Sequence, residues 1–185
     1  MSVKVIISLV LSLSLLAFVF LAVPQKDDVS SINNCEFLRI HIRANSNSEV
    51  DQDIKYVVKD EVVKYLTPHL SKAQNKASAM QIVKSVLPDL KIVVDNVLLQ
   101  NGFAYTSDGR LLQENFPTRV YDDKTLPAGM YDSLIINLGS GLGNNWWCVV
   151  YPPLCFVNAD NSNNVVYKSK LVEIINSFWR HVNVC

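Results

Sequence analysis

A thiolate nucleophile needs a cysteine beside an imidazole base. This chain offers four cysteines (Cys35, Cys148, Cys155 and Cys185) and three histidines (His41, His69 and His181). Their settings argue against that chemistry. His41 sits in an alternating strand pattern, His69 follows the helix-breaking Pro68, and His181 falls in an amphipathic C-terminal stretch, so nothing local marks a reactive thiol. The cysteine spacing contains no CxxC pair, and neither a zinc site nor a dithiol redox centre is expected. Asp27-Asp28 and Asp122-Asp123 lie in tether and turn sequence, without the apolar pocket that would drive two carboxylates apart for acid–base work. Gly139-Ser-Gly-Leu-Gly143 lacks the lysine and following helix of a phosphate-binding loop and reads as a flexible turn. No catalytic residue, metal, cofactor or small-molecule substrate is expected.

Two features suggest binding instead. Adjacent residues of a strand point to opposite faces, so of Trp146 and Trp147 one enters the core. The other is either covered by the C-terminal helix or left as an exposed indole beside Asn144 and Asn145, a contact of hot-spot type. Cys148 and Cys155 flank Val-Val-Tyr-Pro-Pro-Leu. A strand, a Pro-Pro corner and a return would bring them within disulfide reach, a closure worth about 2.5 kcal/mol in the loop-entropy model. The alternative is two buried thiols behaving as small hydrophobes. Cys35 and Cys185 stand at opposite ends of the domain and form a second possible pair.

The elements that must position these residues begin with the N-terminus. Val5 to Val23 is apolar apart from three serines and follows Lys4, the pattern of an export signal. Bulky Phe20 spoils the best cleavage site, after Ala22, and a segment of this length reaches across a hydrocarbon core of about 30 Å. Residues 1–23 are therefore a signal peptide or a signal anchor, 24–35 a polar tether, and 36–185 a single domain outside the cytoplasm. Lys plus Arg and Asp plus Glu balance at 17 each, so there is no basic footprint for nucleic acid. The 49% hydrophobic fraction supports one packed core.

Within the domain, Phe37 to Arg43 alternates apolar and polar residues and predicts a half-buried strand. Ser48, three positions before Asp51, predicts a helix start; Ile54, Val57, Val58, Val62, Tyr65 and Leu66 share one face, and Pro68 marks the break. A second helical pattern starts near Ser71, is interrupted at Pro88, and resumes until Asn101-Gly102 caps it. Strands follow near Phe103–Thr106, Thr118–Tyr121, Tyr131–Leu138 and Trp146–Tyr151, with Ser107-Asp-Gly109 as a hairpin turn. Val165 to Val182 closes the chain as a helix. Segregation of this kind predicts α+β: an antiparallel sheet with helices on one face, preceded by the apolar N-terminal helix.

Asn144-Asn-Trp-Trp-Cys-Val-Val-Tyr-Pro-Pro-Leu-Cys-Phe-Val157 closely resembles the signature of the stage II sporulation protein R family. Arg39-Ile-His-Ile-Arg-Ala-Asn-Ser46 with Asp51-Gln52, Phe116-Pro-Thr-Arg119, and Leu126-Pro-Ala-Gly129 with Tyr131 agree with it too. The resemblance implies a signalling protein of endospore-forming bacteria, made in the forespore and exported between the two membranes. There it would trigger a membrane-embedded aspartic protease, the sigma-E processing peptidase, without being an enzyme itself. The expected contact face joins Arg43 and Asn45 to Asn144, Asn145, Trp146 and Trp147. An exported envelope hydrolase and a purely structural envelope domain are the alternative readings.

Overall fold

A computed structural model describes residues 36–121, 124–154 and 174–178. The chain separates into two compact units, Met1–Ser31 and Ile32–Cys185, and all that follows concerns the second. The expected signal or anchor, the tether, Cys35, Cys155, Cys185 and most of the closing helix lie outside the described residues. Among the described residues, no helix is long and apolar enough to cross a membrane.

Strand β1 (Leu38–Arg43) leads into helix α1 (Glu49–Leu70) and helix α2 (Lys76–Gln100). Then come β2 (Ser107–Phe116), β3 (Arg119–Tyr121), β4 (Lys124–Leu126), β5 (Gly129–Leu138) and β6 (Asn145–Tyr151). Helix α1 starts where expected, with the Ser48 hydroxyl accepting from the Asp51 N–H, which satisfies one of the free donors of the first turn. Helix α2 starts later than expected. Asn75 is its cap, and Ser78 returns the bond in a capping box.

Both prolines were expected to break helices, and neither does: Pro68 lies inside the last turn of α1 and Pro88 inside α2. An interior proline removes one backbone bond and crowds the preceding turn. The buried row Ala79, Val83, Leu90, Val94 and Leu98 runs through Pro88, and packing of that face holds the helix together across it.

The four-stranded sheet has the order β2-β5-β1-β6. It is mixed, which corrects the antiparallel expectation: β1 and β5 are parallel, while β1 with β6 and β2 with β5 are antiparallel. A parallel neighbour requires a crossover, and the stretch α1-α2-β2 supplies it. The class remains α+β. The expected strand at 103–106 and turn at 107–109 are also corrected, because Ser107-Asp-Gly109 is the start of β2, paired with Leu138 to Ile136. Asp95 explains the shift, since its carboxylate takes both the backbone N–H and the hydroxyl of Ser107 at 2.7 Å and anchors the strand to α2.

Leu38, Ile40 and Ile42 of β1, with Leu134 and Ile136 of β5, meet the helix residues Ile54, Val58, Val62, Leu66, Val83 and Leu90 in the main core. Burying each such side chain contributes roughly 1.5–3 kcal/mol. The opposite face was expected to be half exposed. It is not: Phe37, Phe116, Leu126, Tyr131 and Val149 form a second core there. Arg39 and His41 on that face are both 0% exposed.

Candidate functional site

Two loops meet at the end of the sheet where β1 and β5 finish. The loop after β1, Ala44 to Ser48, is held by Asp51 in the first turn of α1. That carboxylate accepts from Asn45 Nδ2 at 2.9 Å, Ser46 Oγ at 2.6 Å and Tyr105 Oη at 2.6 Å. Burial pushes the Asp51 carboxyl up, but the hydrogen bonds from Ser46, Tyr105, Asn45 and Ser48 outweigh it and hold the group below the usual carboxylate range. The Tyr105 phenol is pushed up by burial and by the same carboxylate.

The glycine loop between β5 and β6 locks onto the first loop. Ser140 N–H donates to Asn45 Oδ1 at 2.9 Å, Ser140 Oγ to Asn45 O at 2.6 Å, and Asn144 N–H to Asn47 Oδ1 at 2.7 Å. Gly143 N–H donates to Ala44 O at 2.8 Å. A Cβ at Gly143 would lie 2.2 Å from the Ser46 carbonyl oxygen, so only glycine permits that approach. Lys55, 1% exposed, reaches from α1 to Gln52 Oε1 at 2.6 Å and Asn144 O at 3.1 Å. Burial lowers its pKa. The turn expected at 139–143 is thus half of a double-loop clasp, rather than a free segment.

Beside the clasp, the second face of the sheet carries Arg39, His41 and Arg43 in a row. Strand periodicity places them there together. Arg43 Nη2 pairs with Glu114 Oε1. His41 Nε2 lies 3.0 Å from Glu114 Oε2, but neither atom makes an aligned hydrogen bond. Burial, then Arg43 and Arg39, lower the His41 pKa from 6.5 to about 3, so the ring is neutral at ordinary pH. His41 contacts Trp147 at 4.6 Å and Phe116 at 5.4 Å between ring centroids.

The structure brings the expected contact residues to one end of the sheet. Arg43 pairs in register with Asn145, Ile42 with Trp146, and His41 with Trp147. The two indoles do take opposite faces: Trp146 packs against the main core and Trp147 against the second. Both are partly buried, so neither is the fully exposed indole that had been an alternative. Asn144 is exposed, while Asn45 spends its side chain on Asp51 and Ser140. Cys148 is fully buried, and Cys155, its expected partner, is outside the described residues. Among the described residues, no group of His, Cys, Asp and Glu could hold a metal ion.

Sequence reasoning missed Asp51 and Lys55 as clasp residues, and Arg39, His41 and Glu114 as a buried polar row. The alternation in Arg39-Ile-His-Ile-Arg43 put two arginines and a histidine on one face, and only its burial was unforeseen. Lys55 gave no signal, because a lysine among polar neighbours on a helix reads as solvated.

The profile of the family described as stage II sporulation protein R matches residues 34–161. Stage II sporulation protein R of Bacillus subtilis (strain 168) is 34% identical over 128 residues, which cover 69% of this chain and 57% of that protein. The matched stretch therefore spans little more than half the length of that relative. No solved structure matches. The matched region contains both loops of the clasp, the buried row and the Asn144–Val157 segment, and the chain belongs to the stage II sporulation protein R family.

Proposed function

We propose that this chain is an exported signalling protein of endospore formation that acts between the forespore and mother cell. Family membership supports a role in sporulation. On this reading the domain lies in the space between the two membranes, delivered or anchored by the apolar Val5–Val23 segment. It binds the extracytoplasmic part of a membrane-embedded aspartic protease, the sigma-E processing peptidase, and performs no catalysis of its own. A ligand activates by binding the active state of its receptor more tightly than the idle state. A rigid contact surface serves that purpose because little entropy is lost on docking. The clasp supplies such a surface, with exposed Asn144 at its rim and Arg43 and Trp147 beside it. A bridge between Cys148 and Cys155 fits an oxidising compartment.

The observation that carries this reading is the family match across residues 34–161. Co-expression of the chain with the protease and its precursor substrate, outside sporulation, tests it: cleavage should depend on this chain. Within that assay Asn144→Ala is expected to leave stability within about 0.5 kcal/mol of the parent, because the clasp uses the Asn144 backbone. Processing should nevertheless fall. Trp147→Ala should cost roughly 2 kcal/mol through lost packing on His41 and Phe116. Normal cleavage by a folded Asn144→Ala, Trp147→Ala double variant would remove this face from the contact.

A further inference from the structure

Arg39 is the one cation of the buried row for which the described residues provide no counter-charge. It is 0% exposed at the centre of the sheet. Its Nη2 donates to Tyr121 Oη at 2.8 Å, whereas Nε and Nη1 are shut off from solvent and make no aligned hydrogen bond among the described residues. The nearest acid of the row, Glu114, is engaged by Arg43 and flanked by His41. Three aromatic rings surround the guanidinium, with its carbon 4.3 Å from the Phe116 centroid, 4.8 Å from Tyr131 and 5.8 Å from Tyr121. Rings of this kind stabilise a cation through their faces. Their faces do not provide the lone pairs that guanidinium N–H groups require, which among the described residues come here only from tyrosine hydroxyls, and a buried donor left without one costs the full desolvation penalty.

We propose that Arg39 is a receptor for a single carboxylate group, which enters as the Tyr121 side chain rotates away and takes the Nη2 donor that Tyr121 vacates together with Nε or Nη1, unpartnered among the described residues in the closed form. A carboxylate matches the site in two ways. It brings one negative charge to a positive charge that no described residue compensates, and its planar pair of oxygens matches a planar fork of donors made of Nη2 with Nε or Nη1. The aromatic walls exclude water, which strengthens the pair once formed. Tyr121 is the natural gate. It is half-buried, belongs to the three-residue strand β3, and accepts the 2.8 Å hydrogen bond from Nη2, while the Tyr131 hydroxyl is a second oxygen that interacts with the guanidinium. The carboxylate could be a free small acid or an acidic side chain of another protein, and the same donors would receive either.

The test uses the full-length chain in detergent, titrated with sodium acetate, with the acidic peptide acetyl-glutamate amide, and with sodium chloride at matched ionic strength. The readout is the Arg39 Nε–H resonance together with the thermal midpoint. Carboxylate should shift the resonance and raise the midpoint where chloride does neither. Tyr121→Ala, which removes both gate and competing hydroxyl, should respond at about tenfold lower acetate concentration. Arg39→Gln should not respond. Response to both acids means that a free carboxylate suffices, and response to the peptide alone means that a protein-borne one is required. The proposal is overturned if neither the unsubstituted chain nor Tyr121→Ala responds beyond chloride, or if a folded Arg39→Gln responds equally. Should Arg39→Gln fail to fold, the resonance of the other two forms decides. Since protease activation is not measured, either result leaves the signalling reading standing.

Discussion

Asp51→Asn is expected to release the clasp and cost about 3 kcal/mol of folding stability, the scale of several charge-assisted hydrogen bonds lost in a buried setting. The carboxylate accepts from Asn45, Ser46 and Tyr105. An amide keeps a single acceptor oxygen and turns its NH2 donors toward donors, so at least one partner is left unpaired. The loss should not be confined to α1, because Asn45 carries the bonds that hold Ser140. Denaturant unfolding reads the stability, and limited proteolysis within 139–144 reads the release of the second loop. A change under about 0.5 kcal/mol, the range of an ordinary surface substitution, would show that the loops hold without Asp51. The pH dependence follows from the depressed pKa. A carboxyl lowered in the folded state stabilises above its unfolded value of about 4 and loses that contribution as pH falls through the folded value. Its effect is therefore confined to strong acid.

Acidification should destabilise the domain much earlier, through His41. In the unfolded chain a histidine takes up its proton near pH 6.5, whereas buried His41 resists protonation down to about 3. The unfolded state therefore binds the extra proton throughout that interval. Stability is complete above 6.5 and falls on acidification by on the order of 1 kcal/mol per pH unit. Arg39 and Arg43 on the same strand reinforce the resistance. Glu114 faces the ring from β2, but its carboxylate is engaged by Arg43 and does not reverse the direction. Urea unfolding between pH 6.5 and 4.5 isolates this contribution, because the lowered carboxyls Asp51, Asp95 and Asp132 act below that window. His41→Gln should flatten the dependence there while lowering stability at pH 7. A flat profile for the parent, or an unchanged slope in the variant, would mean that the ring accepts its proton in the folded state.

The proline positions show where local reasoning reaches its limit. Pro88 ends a helix by every intrinsic measure, yet α2 continues through it because the residues on either side bury the same face. The strand expected at Phe103–Thr106 begins at Ser107 because a carboxylate on α2 captures that residue's N–H and hydroxyl. Lys55 looked like a solvated helix lysine and is a buried link to Asn144, which lies far away in the sequence. In each case the deciding partner is remote along the chain.

Helix starts, strand periodicity and the family signature were all legible in the residues, because capping, alternation and motif spacing act between near neighbours. Ser48 as a cap, β1, β5 and β6, and the opposite orientations of Trp146 and Trp147 all follow from such local rules. Strand pairing, the parallel β1–β5 contact and the burial of both sheet faces required the folded chain. A strand's alternation separates its two faces but does not say what covers each one. Arg39 and His41 carry the same side chains on a solvated face as on a buried one, and it is the packing of Phe116, Tyr121, Tyr131 and Trp147 over them that turns a polar stripe into a site.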